Sequence, residues 1–484
     1  MVAAIIGAMA AAHSHNGSRR RVEAYKKHLL ARGEKLSMID LAPAPSTNKA
    51  NGALAFLAAT NLFHGPTNGL LSVSMMRTAV PGFAWNGWRQ DHLPTNAAAN
   101  YWATLREELQ PRKAELPQLR DILDAPEFQF DLDYSQGPSL MLMHLARLKG
   151  AQNFVAAWAM TALHDGDYAG ARENLGLAVS LVRIYQGEPL LISHLVRTAM
   201  ASIAISATWE ALQYEHWTDR QLSQLQADWE AMDLFGPAES TLKMERAQII
   251  DSLRVVRKAS NSQAMFANPV STNNPADPGV SQVVGNLLRS PGPSFRELYE
   301  RYPRFWAWKW SWSYDEELFD LESMDAILES VQQVKTTGAF VPASKALDLA
   351  ATNISKSFPD AATHFLEFGE PEMLRRGLTK FANIEVARRL LVTAIALRRH
   401  QLANGRYPDN LDQLVPNFLR AVPVDLMDGK PLRYQPKTND TYLLYSVGED
   451  GIDDGGNPAN TNKYWLKARD AVWPMPMSTG TNTY

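Results

Sequence analysis

Between residues 139 and 256 apolar side chains recur at three- and four-residue spacing almost without interruption, which commits this stretch to packed helices. The pattern predicts helices over 156–163, 168–185, 190–212, 220–232 and 238–256, and a further one beginning with Leu140, Met143, His144 and Arg147. Breaks are expected at Gly150, Gly166, Gly187-Glu188-Pro189, Trp217-Thr218-Asp219 and Gly236-Pro237, where Gly, Pro or a capping pair interrupts the period. Successive helices joined by such short connections must pack as antiparallel neighbours.

A chain of 484 residues exceeds what one growing core holds, so two or more domains are expected. The divisions read from the sequence are an N-terminal apolar segment with a basic helix (1–37), an irregular wrapping region with short helices (38–137) and the helical array (138–258). A linker (259–295), an aromatic-rich helical region (296–380) and a small C-terminal α+β domain (381–484) complete the chain. Residues 260–293 are dense in Pro, Asn and Gly, a composition that holds no regular ladder. With 45% hydrophobic and 20% charged residues the chain is an ordinary globular one. A formal charge of -3 provides no basic footprint for nucleic acid, and zero cysteines exclude disulfides, thiolate metal sites and cysteine nucleophiles.

At the N-terminus an apolar run to Ala12 precedes Arg19-Arg20-Arg21. Three readings stay open for it: the end of a membrane anchor, a signal peptide, or the first turns of a soluble helix. Trp306, Trp308, Trp310 and Trp312 alternate as on one face of a strand, though an extended loop or a helix start fits them too. Core packing and a sugar-stacking platform are the two uses such indoles have.

The C-terminal region carries the densest motifs. An arginine-rich, amphipathic helix (384–400) leads into Gly405-Arg406-Tyr407-Pro408, then Asp425-Leu426-Met427-Asp428-Gly429-Lys430-Pro431-Leu432, then an acidic loop, Gly448-Glu449-Asp450-Gly451-Ile452-Asp453-Asp454-Gly455-Gly456, with Asp470 beyond it. Carboxylates among glycines suit a hard cation such as calcium, since Gly lets carbonyls turn inward; a solvated turn is the plainer use of the same residues.

This string resembles the periplasmic domain of the major pseudopilin of type II secretion systems. The resemblance implies a long helix against a short antiparallel sheet, and calcium held by Asp450 and Asp470 with Asp453 or Asp454 behind them. It also implies protein partners among secretion or pilus components. In the array, Ala162-Leu163-His164-Asp165-Gly166-Asp167-Tyr168-Ala169-Gly170-Ala171 resembles the turn of one tetratricopeptide helix pair. The whole chain resembles a group of uncharacterised large proteins from verrucomicrobial and planctomycetal bacteria, through residues 31–36, Leu191-Ile192-Ser193-His194-Leu195-Val196 and the C-terminal run. The expected fold is therefore mainly α, a tetratricopeptide-like helical-hairpin array followed by a small α+β pseudopilin-like domain.

No P-loop, dinucleotide fingerprint, zinc-protease motif or nucleophile elbow occurs. His13 and His15 form an H-x-H pair without companion acids. His194 and Glu245 fall on two helices of the array, where they would serve either as hydrogen-bonded structural groups or as the acid and base of a hydrolase. The expected function is a non-enzymatic, envelope-associated scaffold or interaction protein, its body outside the cytoplasm where calcium is plentiful; the alternative is the hydrolase.

Overall fold

In a computed structural model the protein is described over residues 2–48, 50–59, 61–66, 76–90, 101–185, 187–258, 306–358, 371–437, 441–459 and 465–477. The expected linker at 260–293 lies outside the described residues, as do the side chain of His13 and residues 296–305 of the aromatic-rich region.

The described structure is mainly helical with small sheets. Helix α1 (Val2–Ala31) is followed by the short α2 (Met38–Leu41) and α3 (Gly52–Ala58), a hairpin of β1 (Arg77–Val80) and β2 (Phe83–Trp85), then α4 (Tyr101–Leu109) and α5 (Glu115–Leu123). The array comprises α6 (Met143–His164), α7 (Tyr168–Ile184), α8 (Leu191–Leu212), α9 (Asp219–Glu230) and α10 (Ala238–Lys258). Gly150 does not break α6: a lone glycine costs a helix only about 1 kcal/mol, and packing against α7 and α8 outweighs it. At the α6–α7 turn Gly166 takes a φ of 77°, and Asp167 caps α7 by accepting from the Gly170 amide at 3.0 Å.

Residues 306–310 are helical, so the tryptophans do not alternate on a strand. Trp308 is fully buried and its indole donates to Glu316, whereas Trp310 is 60% exposed. Next come α11 (Ser313–Thr337), α12 (Phe340–Ser357) and the long α13 (Pro371–Asn404). The chain then forms β3 (Arg433–Lys437), β4 (Thr441–Ser446), β5 (Ala471–Val472) and β6 (Met475–Pro476). Strands β3, β4 and β5 make an antiparallel sheet in that order, with Tyr434 opposite Leu444 and Tyr445 opposite Val472.

The expected division at residue 381 falls inside α13. One side of this helix meets β4, while others meet α8 and α9. From Phe381 to Leu397 its apolar residues are buried throughout, so the amphipathic pattern does not leave a solvent face. Its arginines from Arg388 onward point into protein instead. Arg388 donates to the Trp229 carbonyl (2.9 Å), Arg389 to that of Val424 (2.8 Å) and Arg398 to that of Glu215 (3.0 Å). Arg399 pairs with Asp219 at 2.7 Å. Strand β6 pairs in parallel with β2, and the Trp209 indole on α8 donates to the Pro474 carbonyl at 2.9 Å. A single hydrophobic cluster consequently runs from Ala53 through α6, α8 and α13 to Trp473. The helical array and the C-terminal sheet share that core rather than lying side by side.

Helix α8 is the one described helix long and apolar enough to cross a membrane, and it is mostly buried at the centre of this core.

Candidate functional site

The acidic loop bridges β4 and β5. Gly448 begins it at a φ of 68°, and a Cβ there would stand 2.5 Å from the Arg469 carbonyl oxygen, so only glycine fits. Asp470 is fully buried beneath the loop and holds it through backbone amides: Oδ2 accepts from Gly456 and Asn457 at 2.8 Å each, and Oδ1 from Asp454 at 3.4 Å. Burial raises its carboxyl above the ordinary range against the pull of those three amides. Asp453 turns the other way, accepting from the Tyr445 hydroxyl (2.9 Å) and from Arg433 (3.3 Å). Burial would raise the Asp453 carboxyl, but these bonds and the Gly455 amide outweigh it and hold it below its usual value. Asp450 is exposed and caps its own turn at the Ile452 amide, and Asp454 lies 3.8 Å from Arg469.

In this arrangement the four carboxylates do not converge on one point. Among the described residues no group of three or more His, Asp or Glu is placed to hold a metal ion. The charge-balancing group present is Arg433. Its guanidinium contacts Asp428, the fully buried Asp425 (3.2 Å) and Asp453 (3.3 Å) together, and these bonds, that to Asp428 foremost, raise its own pKa further. Asp425 in turn accepts from the amides of Met427 and Val447 and from the Ser446 hydroxyl, fastening the turn before β3 to the end of β4.

His194 and Glu245 are not joined by a hydrogen bond or ion pair. His194 is buried on α8; its Nε2 donates to the Leu234 carbonyl at 3.0 Å, and its ring meets the Phe381 ring edge-on at 4.1 Å. Burial, with the nearby Arg197 charge, lowers its pKa to about 3, so the imidazole is neutral at physiological pH. Arg197 donates to the carbonyls of Val182 and Asp233, and Glu385 on α13 accepts from the Leu234 amide at 3.2 Å. Arg388, on the same helix as Glu385, holds the Trp229 carbonyl. Four charged or titratable side chains from two helices thus fix the connection between α9 and α10, whose backbone would otherwise be buried without partners. Burial would raise the Glu385 carboxyl, yet Arg388 and Arg389 keep it below its usual value. Glu245 on α10 has no hydrogen bond or ion pair among the described residues, and desolvation pushes its carboxyl up to about 7.

Two further clusters escaped sequence reasoning. Glu188 lies between α7 and α8, where Oε2 accepts from the Tyr185 hydroxyl (2.8 Å) and the Ser193 hydroxyl (2.7 Å) while Oε1 lies 2.8 Å from His144 Nε2. The group contains serine, histidine and glutamate, but the carboxylate stands in the middle. Ser193 donates directly to the Glu188 carboxylate, with no histidine between them, and its side chain is buried. A small cleft lined by Phe128, Phe130, Tyr134 and Glu188 among others opens beside it. The only sequence signal was a glutamate in the Gly-Glu-Pro break. The second cluster centres on Glu210 of α8, fully buried, which accepts from the amides of Met76 (3.0 Å) and Gly87 (2.9 Å) and anchors the β1–β2 hairpin. Burial raises its carboxyl to about 8 despite those amides. No periodicity marks its partners, which lie more than a hundred residues away.

No family model, curated protein or solved structure matches this chain.

Proposed function

We propose that the protein is a non-enzymatic scaffold or interaction protein of the cell envelope, its tetratricopeptide-like helical array fused to a pseudopilin-like region that engages secretion or pilus components. One observation carries the reading: buried ionisable side chains in three places grip backbone groups of distant segments. Glu210 holds 76–87, Asp470 holds 454–457, and His194, Arg197, Glu385 and Arg388 hold 229–234. Chemistry committed in this way fixes shape. The pseudopilin-like part is supported by the order long helix, β3–β4 hairpin, acidic loop, β5.

Calcium enters the proposal as a ligand of the loop carrying Asp450, Asp453, Asp454 and Asp470, bound in a rearranged loop where Asp453 exchanges Arg433 for the ion. Thermal unfolding of the full chain should then show a higher midpoint with calcium than with chelator. Equal midpoints at saturating calcium remove the ion from the account. The partner is tested by co-sedimentation of the full chain with assembled pseudopilin filaments: enrichment in the pellet is expected, and a chain that stays in the supernatant with and without calcium excludes the docking.

A further inference from the structure

Among the described side chains, helix α1 packs on α11 over its second half. Ser18, Val22 and Leu29 are buried there, Ser18 and Arg21 bond Asp315 at 2.7 Å, and Tyr25 bonds Asp325 at 3.1 Å. Towards the chain start this stripe reaches His15, whose ring lies 4.9 Å from Tyr314 and 6.4 Å from Trp310. Trp310 is the most exposed tryptophan among the described residues at 60%, and Lys309 Nζ stands 5.2 Å from the Trp306 ring and 5.9 Å from that of Trp310. Beyond His15 the helix continues to Val2, and residues 2–12 read Val-Ala-Ala-Ile-Ile-Gly-Ala-Met-Ala-Ala-Ala, with no polar side chain. At 1.5 Å per residue this segment is about 16 Å long, close to half of a bilayer's roughly 30 Å hydrocarbon core. It is therefore long enough to enter one leaflet. Arg19 and Arg20 follow, exposed and without an ion pair among the described residues.

An apolar helix end, an exposed indole at its base and cations one to two turns further on are the arrangement that a membrane interface selects. Hydrocarbon takes the apolar turns, tryptophan takes headgroup depth, and arginine or lysine takes lipid phosphate. We propose that α1 docks the protein on an anionic bilayer, with 2–12 entering one leaflet, Trp310 at the headgroups, and Arg19, Arg20 and Lys309 against the phosphates. The inference deepens the envelope part of the reading above and rests on it, while using neither calcium nor a pseudopilin partner.

The test is flotation of the full chain with vesicles of phosphatidylcholine, with and without phosphatidylglycerol. Binding to the phosphatidylglycerol vesicles is expected, weakened severalfold by high salt and by Arg19→Glu with Arg20→Glu. Ile5→Asp with Ile6→Asp, whose far-ultraviolet circular dichroism checks the fold, should abolish it. Brominated lipid should quench the wild-type fluorescence, and Trp310→Phe should remove the quenched component while the chain still floats. A full chain that does not float, or an Ile5→Asp/Ile6→Asp variant that floats like wild type, overturns the proposal. So does self-association relieved by that variant in the absence of flotation, which would make the occupant a second copy of the chain. Each of these results leaves the calcium and filament tests standing on their own.

Discussion

Glu210 has two amide donors on one oxygen and none on the other, and the fully buried second oxygen makes the charged form expensive. With a carboxyl at about 8 in the folded chain against an ordinary 4.5, the folded state keeps a proton that the unfolded state has released. The contribution of Glu210 to stability is therefore full below pH 4.5 and declines as pH rises towards 8. Glu210→Gln keeps an acceptor for both amides and should flatten that decline, whereas Glu210→Ala orphans two buried N–H groups and should cost about 2 to 4 kcal/mol. Denaturant titrations of the two variants at pH 5 and pH 8 measure both effects. His194→Ala removes the donor to Leu234 and a ring packed on Phe381, and should cost about 2 to 3 kcal/mol with an unchanged slope. Glu245 has no partner to orphan among the described residues, so Glu245→Gln should be neutral at pH 5 and stabilising above pH 7; a loss at both would place a partner on it.

At the scale of elements, α1, α10 and α11 are sewn together by charge. Glu317 on α11 is fully buried and meets both Lys26 of α1 and Arg257 of α10, the latter at 2.5 Å. Arg246 of α10 reaches Glu34 at 2.8 Å and Asp325 at 3.4 Å. Removing one partner of such a buried group leaves the others uncompensated, so Glu317→Ala should cost about 3 kcal/mol and expose α1 to limited proteolysis first. Asp320, one turn on, is raised well above the ordinary range by burial and then by repulsion from Glu316 and Glu317. Asp320→Asn should accordingly stabilise the protein at neutral pH, as a thermal midpoint would show. The array helices were legible because each needs only its own apolar period: the predicted 190–212 and 238–256 correspond to Leu191–Leu212 and Ala238–Lys258. The role of Arg388, Arg389, Arg398 and Arg399 was not. A run of arginines reads locally as a solvated face, and their acceptors, carbonyls and for Arg399 the Asp219 carboxylate, lie up to 183 positions away.

At the scale of the molecule, a composition and length that suggest separable domains produce, among the described residues, one large core that spans the array and the C-terminal sheet, with two small clusters beside it. Length limits how far a core grows but does not say where its seams fall. The acidic loop, likewise, was legible as a loop, but Asp470 was expected there as a calcium ligand, not as the buried carboxylate that holds the loop's amides. Its local spacing could not reveal that Arg433 neutralises Asp425, Asp428 and Asp453 together, because that depends on the β3–β4 register. The central claim is that buried charged side chains and α13 bind the C-terminal sheet to the helical array as one cooperative body. Native-state hydrogen exchange on α8 and β4 of the full chain tests it most directly. The account predicts that their most protected amides open with the same free energy and that Glu385→Ala lowers both equally. A β4 that opens well below α8, with α8 unaffected by that substitution, would contradict it.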